Sequence, residues 1–170
     1  MTADLIKRID LDLLYAPLRD TVLDCLAACR RRGFDYYVTE GHRTYGRSHV
    51  LHQAFLEGIG PRAAPGGRSA HNFGLAVDLV LDVDVKKRGL QPSWTAEAFD
   101  VAGEEATRLG LDWGKRFGDM PHVGWRGFVS AAELRPLHLA YVAAPGDLAN
   151  RLAAVWQLIP TIEAERNNKK

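Results

Sequence analysis

The sequence predicts an α+β fold in which a small, mostly antiparallel sheet is flanked by helices and followed by a helical C-terminal extension. Three observations predict this fold class: segments with apolar residues at helical spacing, short runs of aromatic and β-branched residues, and loops too long and irregular for regular βαβ winding. The 170 residues, 46% apolar and 25% charged, have the length and composition of one globular domain.

The first half of the chain predicts a helix, a strand and a second helix. Pro17 suits the first position of a helix over 17–32, and Gly33 suits its end. The run FDYYVT at 34–39 is rich in aromatic and β-branched residues, so it predicts a strand. The helix predicted over 46–57 is expected to turn these residues inward: Val50, Leu51, Ala54 and Phe55.

The second half begins with a loop at 58–70 that is rich in glycine and proline and leads to a strand at 75–81. Four later elements are predicted, and Pro160 is expected to kink or end the last of them. They are a helix at 95–109, a short strand at 122–125, and helices at 130–142 and 146–164.

The last helix carries an apolar stripe at helical spacing, and we expect this stripe to cover the core. Contact with a membrane or with the cell wall is the alternative, weakly supported by the basic end at 166–170. The stripe consists of Leu148, Leu152, Val155, Trp156 and Ile159.

Charge and hydropathy exclude several classes of protein. The 22 Lys and Arg residues balance 21 Asp and Glu residues, so the net charge of +1 indicates no nucleic-acid partner. No apolar run approaches the ~18 residues of a membrane span. The N-terminus is interspersed with acids and does not resemble a secretory signal, so we expect synthesis in the cytoplasm.

Three other groups of residues have ordinary structural explanations. Cys25 and Cys29 lie four residues apart on a predicted helix and are interpreted as core thiols, since no other soft ligand is near them. His49 and His52 are interpreted as part of a solvated helix face. Asp82 and Asp84 have the spacing of two ligands in a calcium loop, but the glycine and the final glutamate of such a loop are missing.

Asp78 is the first residue that indicates a functional site. It interrupts the apolar run 75–81 and shares a strand face with Ala76 and Val80. A carboxylate in such a strand is costly unless it is paired or binds a metal. His71 precedes it in the turn that enters the strand, so its ring can fold back toward the same face.

A second segment supplies another histidine and another carboxylate. Pro121 restricts the backbone just before His122, and Asp119 lies three residues before the histidine. Two histidines and one carboxylate leave a fourth tetrahedral position open, which is the ligand set of a catalytic zinc site. A further carboxylate near the metal can take a proton from the attacking water. From spacing alone, a capped turn or a surface ion pair remains the alternative for each residue.

Two motifs within residues 35–126 resemble those of the zinc peptidases related to D-alanyl-D-alanine carboxypeptidases, in one superfamily with lysostaphin and the hedgehog domain. The subgroup that the chain resembles most is the L-alanyl-D-glutamate peptidases, which include many phage endolysins. The residues that carry the resemblance are Ser69, His71, Gly74, Ala76 and Asp78 in the first motif, and Trp113, Gly114, Asp119, Pro121, His122 and Trp125 in the second.

The resemblance implies a role for each residue. His71, Asp78 and His122 would be the ligands of one Zn²⁺ per chain, and Asp119 the catalytic base. Ser69 would line the substrate cleft. Trp113 would either line this cleft or only pack against neighbouring residues.

The turn at 39–44 (TEGHRT) resembles the family's Ser-Gly-Tyr-Arg-Ser/Thr turn, in which the arginine contacts substrate near the reacting carbonyl. Arg43 would then anchor a substrate carboxylate or stabilise the oxyanion, as a catalytic and substrate-binding residue. An ordinary surface arginine is the alternative. The chain departs from the family at His42, Ser48, His52 and Lys115, which affects the expected substrate specificity but not the metal ligands.

The resemblance implies a zinc metallopeptidase that hydrolyses the stem peptide of bacterial peptidoglycan, preferably at the L-Ala–D-Glu bond. Residues 1–129 would form the peptidase domain, and 130–170 a helical extension packed on it. A monomeric, phage-type endolysin that reaches the wall after holin-type release fits a chain without a signal peptide. The alternatives are a D-alanyl-D-alanine carboxypeptidase, whose usual Glu-x-x-His is Asp119-Met-Pro-His122 here, a non-catalytic metal-stabilised wall-binding domain, or wall recycling inside the cell.

Overall fold

The computed structural model describes residues 9–168, and within them the predicted α+β fold is confirmed. The N-terminal segment 1–8 and the final two lysines of the predicted basic end lie outside the described residues. The α-helices are α1 Ala16–Arg31, α2 Tyr45–Leu56, α3 Asp100–Arg108, α4 Ala131–Ala143 and α5 Leu148–Asn167. The strands are β1 Asp35–Glu40, β2 Ala76–Asp82, β3 Pro92–Ser93, β4 Asp112–Trp113 and β5 His122–Gly124.

The chain divides into two compact units. The first unit comprises Met1–His42 and Gly74–Phe128, and the second comprises Arg43–Phe73 and Val129–Lys170. The first unit contains the whole sheet with α1 and α3, and the second contains α2, α4 and α5.

The sheet of the first unit is built around β2. Its strands follow the order β1-β2-β5-β4, β3 also pairs with β2, and every pair is antiparallel. Strand β2 is buried along most of its length, which explains why its sequence is nearly continuously apolar. Asp78 therefore lies in the strand that pairs with three others.

Helix α1 packs through one face in the first unit, as its helical periodicity predicts. Leu18, Val22, Cys25 and Cys29 are at most 2% exposed, so the two cysteines are core thiols as expected. The thiol of Cys25 contacts the carbonyl oxygen of Ala102 in α3 at 3.7 Å. The segment predicted as one helix over 95–109 is a 3₁₀ helix, Ala96–Phe99, that continues into α3.

In the second unit, α5 buries three of the five residues of its apolar stripe, and Leu148 and Trp156 are half-buried. Leu152, Val155 and Ile159 have no exposed surface, and the indole Nε1 of Trp156 donates a hydrogen bond to Phe73 O at 2.8 Å. The helix continues beyond Pro160 to Asn167, so this proline does not end it, and a kink at Pro160 stays a prediction. Helix α4 begins at a capping box formed by Ser130 and Glu133.

The structure corrects the prediction of which residues of helix α2 face inward. Val50 is 67% exposed and Phe55 38% exposed, whereas the buried residue of the helix is Ser48. The reason is that Ser48 accepts a hydrogen bond from the buried amide of Asn72, so a polar contact decides which side of the helix faces the protein.

None of the helices described in the structure is long and apolar enough to cross a membrane.

Candidate metal centre

Strands β2 and β5 place Asp78 and His122 directly opposite each other. Opposed residues in an antiparallel pair project from the same face of the sheet, so their side chains approach. The Nδ1 atom of His122 lies 3.6 Å from Oδ1 of Asp78. The backbone pairing extends one step further, because Leu79 N donates to Pro121 O at 2.9 Å.

A β-bulge lies beside Asp78 on the other neighbouring strand. The register of β1 and β2 shifts between Val38 and Glu40, so that Glu40 stands opposite Asp78. The hydroxyl of Thr39 donates to the carbonyl oxygen of Asp78 at 3.2 Å. Bulges of this kind re-aim side chains next to functional sites, and sequence periodicity gave no signal for this one.

His71 lies on a 3₁₀ helix, Ala70–Phe73, and is 2% exposed. One ligand atom from each of His71, Asp78 and His122 lies within 4.8 Å of the other two. Tetrahedral zinc with bonds of about 2.0–2.1 Å separates its ligand atoms by roughly 3.4 Å, close to the 3.6 Å between His122 and Asp78. The two imidazoles and the carboxylate therefore fit zinc in donor chemistry, and the distance between His122 and Asp78 suits it.

Asp119 lies next to His122. Its Oδ2 is 3.9 Å from Nδ1 of His122, and 46% of its side chain is exposed. A tight turn holds it, since Asp119 N donates to Gly114 O and His122 N donates to Asp119 O. A Cβ on Gly114 would collide with the carbonyl oxygen of Asp119 and lie 2.8 Å from Cβ of His122, which explains the glycine after Trp113.

Two residues that sequence reasoning missed pack around the ring of His122. Phe117 meets it edge-on, with ring centroids 5.5 Å apart. On the same strand, a Cβ on Gly124 would lie 3.2 Å from Nε2 of His122, so the glycine gives the imidazole room. The available signal was the two-residue spacing of His122 and Gly124, which places both on one face of a strand.

Arg43 is hydrogen-bonded to the backbone of His71, and Ser69 is hydrogen-bonded to the next residue, Asn72. Arg43 is 9% exposed, and its contact with substrate stays a prediction. Its backbone N–H donates to His71 O at 3.0 Å, and its carbonyl oxygen accepts from Asn72 Nδ2 at 2.8 Å. The N–H of Ser69 donates to Asn72 Oδ1 at 3.3 Å. Asn72 is thus a further residue that the sequence did not single out.

Trp113 makes packing contacts in the first unit. Its Nε1 donates to Met120 O at 2.9 Å, its ring lies against Gly103, and the ammonium of Lys115 lies 4.7 Å from the ring centroid. These contacts support the packing alternative, and its contact with substrate stays a prediction.

The other candidate ligands take part in local turns. The Nδ1 atom of His52 lies 2.8 Å from Ala63 O. Oδ1 of Asp82 accepts from the backbone N–H groups of Asp84 and Gln91 at 3.0 and 3.3 Å. His49 is exposed as expected, whereas His52 is half-buried, so only His49 lies on a solvated helix face.

Comparisons with known proteins show what the chain is similar to. A family model described as D-alanyl-D-alanine carboxypeptidase matches residues 62–125, which include Ser69, His71, Asp78, Asp119 and His122. The chain is 34% identical over 109 residues to the peptidoglycan L-alanyl-D-glutamate endopeptidase CwlK of Bacillus subtilis, a match covering 57% of this chain. The match spans 64% of the length of that relative.

A solved structure is also similar to the chain. It is the L-Ala D-Glu endopeptidase ChiX of Serratia marcescens, with 22% sequence identity and a TM-score of 0.43. The match covers 64% of this chain and 82% of that one.

Proposed function

We propose that the chain is a zinc-dependent peptidoglycan hydrolase that cuts the L-Ala–D-Glu bond of the stem peptide. The match of residues 62–125 to a family model described as D-alanyl-D-alanine carboxypeptidase supports this proposal. The observation that carries this proposal is the group formed by His71, Asp78 and His122, with the carboxylate of Asp119 next to His122. The endopeptidase activity named for the curated relative supports the choice of bond.

The three grouped side chains would hold one Zn²⁺ per chain. Peptidases of the M15 family are zinc-dependent in general, and His71, Asp78 and His122 offer the ligand types that zinc prefers. When bound, zinc supplies Lewis-acid chemistry by polarising the scissile carbonyl.

Asp119 is proposed to transfer the proton. Its carboxylate is half-exposed, so water reaches it, and it lies beside His122 rather than within the three-residue group. Asp119 takes a proton from the attacking water and passes it to the leaving amine of D-Glu. A non-catalytic metal-stabilised wall-binding domain has no need for such a base, which disfavours that alternative.

Arg43 and Ser69 are proposed to bind the substrate. A guanidinium forms two parallel hydrogen bonds with a carboxylate, and the stem peptide offers carboxylates at D-Glu. The chain would act as a monomer on bacterial peptidoglycan, as a phage-type endolysin after holin-type release. D-alanyl-D-alanine carboxypeptidase activity is the second candidate, favoured by the description of the matching family.

The bond that is cut can be read from the products. Purified peptidoglycan is digested, new amino groups are labelled with dinitrophenyl, and fragments are identified by mass spectrometry. We expect a new amino group on D-Glu and L-Ala left on the glycan, with Asp119→Ala protein as the control. Release of free D-Ala without a new D-Glu amine would instead assign the carboxypeptidase activity.

The metal requires a separate measurement. Protein purified without added metal should contain about one zinc per chain, because the site offers three protein ligands. Chelation should abolish hydrolysis and Zn²⁺ should restore it. Undiminished hydrolysis by metal-free protein would contradict the proposed mechanism.

A further inference from the structure

We propose that Asn72 is a positioning residue that holds Arg43 and Ser69 in fixed register with the ligand His71. This inference rests on the proposed function, which makes these three residues parts of one site. Asn72 follows His71 on the 3₁₀ helix Ala70–Phe73 and has no exposed surface.

The side chain of Asn72 uses its full hydrogen-bonding capacity. Its Oδ1 accepts from Gly67 N at 2.9 Å and from Ser69 N at 3.3 Å. Its Nδ2 donates to Arg43 O and to Ser48 Oγ, each at 2.8 Å. A side-chain amide has two N–H donors and two acceptor lone pairs, so all four are engaged. The partners also determine the orientation of the amide, since two N–H groups face its oxygen.

Arg43 is held at both of its backbone groups. Its N–H donates to His71 O at 3.0 Å, and its carbonyl oxygen accepts from the amide of Asn72. Two hydrogen bonds of opposite direction fix the position of the Arg43 backbone relative to the 71–72 peptide. The point from which the guanidinium reaches toward substrate is therefore set by Asn72 as well as by the chain around Arg43.

The loop that carries Ser69 is held from two sides. Asn72 binds the N–H of Gly67 on one side. On the other side lies His138 of α4, because a Cβ added to Gly67 would stand 2.5 Å from its Nδ1. That Nδ1 is in turn 2.9 Å from the hydroxyl of Tyr45. The helix beyond the matched family region thus supports the loop on which Ser69 lies.

A purely structural role for Asn72 makes a different prediction. If the amide only stabilised the fold, its loss would lower the unfolding temperature and leave the KM of the folded enzyme unchanged. If it positions Arg43 and Ser69, its loss raises KM in protein that is still folded and still holds zinc. Displacements near 1 Å in such residues change rates by about 100-fold.

The variants are Asn72→Ala, which removes all four hydrogen bonds, and Ser48→Ala, which removes one. The matched control is Gln53→Ala, the loss of an exposed amide on α2 of the same unit. Zinc content, circular dichroism, kcat and KM are measured with soluble disaccharide–stem-peptide fragments, below the unfolding temperature of every variant.

We expect Asn72→Ala to retain one zinc and to raise KM about 10-fold to 100-fold. Ser48→Ala should raise KM about 2-fold to 10-fold, and Gln53→Ala should leave it unchanged. In an Arg43→Lys background, Asn72→Ala should have a smaller effect than in the wild type, because both changes weaken the contact that the side chain of residue 43 makes with substrate. An unchanged KM in folded Asn72→Ala would overturn the proposal. So would a double variant in which the effects of Asn72→Ala and Arg43→Lys on KM simply multiply. If Asn72→Ala does not fold, an unchanged KM in Ser48→Ala overturns it.

Amide hydrogen exchange provides a readout that does not need hydrolysis. In zinc-loaded protein, the N–H groups of Gly67 and Ser69 should exchange about tenfold faster or more in Asn72→Ala and at the wild-type rate in Gln53→Ala. Unchanged exchange would refute the hydrogen-bond network itself. Wild-type protein that does not cleave the fragments would refute the proposed function, while the exchange rates would still test the network.

Discussion

At the scale of single residues, the difference between Asp78 and Asp119 is a difference in exposure and position. Asp78 lies in a buried strand opposite His122, and 18% of its side chain is exposed. Asp119 lies in a turn outside the strand with 46% exposed. A ligand benefits from a fixed position, whereas a proton-transfer group needs contact with water. The two carboxylates therefore suit different roles.

Replacing Asp119 with alanine tests this division of roles. We expect Asp119→Ala to keep its zinc and its fold but to lose turnover by about 10²-fold to 10⁴-fold, because only proton transfer is removed. Metal analysis and hydrolysis rates check the two halves of the prediction. Loss of the metal would identify Asp119 as a ligand, and retained activity would place the base elsewhere.

Gly124 is a second test at this scale. A Cβ there would lie 3.2 Å from Nε2 of His122, so Gly124→Ala should tilt the ring and weaken zinc binding by about 10-fold to 100-fold. Competition with a chromophoric chelator measures the change. Gly46→Ala on α2 is the control, since nothing lies within 4 Å of its added Cβ. Equal zinc affinity in both variants would show that the ring has spare room.

At the scale of elements, α4 and the loop at 66–69 depend on each other. Gly67 has φ +81° and packs against His138, so neither the backbone conformation nor the space at this position suits another residue. This contact gives α4 a place beside a loop that carries a predicted substrate-binding residue.

Gly67→Ala should lower the free energy of unfolding by more than its backbone conformation alone explains. Alanine at positive φ costs about 1–2 kcal/mol, and the contact with His138 adds about 1–3 kcal/mol. Gly33→Ala isolates the first contribution, because Gly33 has φ +88° with nothing within 4 Å. Denaturant unfolding of both variants measures the difference, and equal destabilisation would contradict the packing argument.

Tyr36 joins β1 to the 3₁₀ helix before α3. Its hydroxyl donates to Ala98 O at 2.6 Å, and burial raises the pKa of Tyr36 to about 12. Tyr36→Phe should lower the free energy of unfolding by about 1–3 kcal/mol, because a buried carbonyl loses its donor.

The raised pKa also predicts a pH dependence. The folded state holds the phenolic proton more tightly than the unfolded state does, so this stabilisation is complete below about pH 10. It is lost as the pH rises toward 12. Unfolding measured across this range should show a steeper loss in the wild type than in Tyr36→Phe, and parallel curves would contradict the assigned cause.

At the scale of the whole molecule, the proposed metal joins residues from distant parts of the sequence. His71 comes from a 3₁₀ helix, Asp78 from β2 and His122 from β5. A ligand that binds only the folded state stabilises it by mass action, by about 2.7 kcal/mol when its concentration is 100-fold above Kd.

Chelation should therefore lower the unfolding temperature, and added Zn²⁺ should restore it. His71→Ala should reduce this difference, since the variant lacks one ligand, whereas Gly46→Ala should keep it. Differential scanning calorimetry with and without chelator checks both. A zinc-dependent shift of the same size in His71→Ala would mean that this histidine is not a ligand.

The sequence alone predicted the fold class, most element positions to within a few residues, and the three residues that the structure brings together as a possible metal site. It could do so because apolar periodicity and strand alternation report which residues share a face, and because the ligand types stand in two short motifs. The division into a domain at 1–129 and an extension at 130–170 stays a prediction, as do the individual site roles.

Only the tertiary structure decided which face of α2 is covered, where β1 shifts its register beside Asp78, and what Asn72 binds. Periodicity shows that Val50 and Ser48 lie on different sides of a helix, but not which side meets the protein. The partners of Asn72 come from the turn at Arg43, from α2 and from the loop before His71. The hydrogen bonds of a buried amide join segments that are separate in sequence, so no local sequence pattern predicts them.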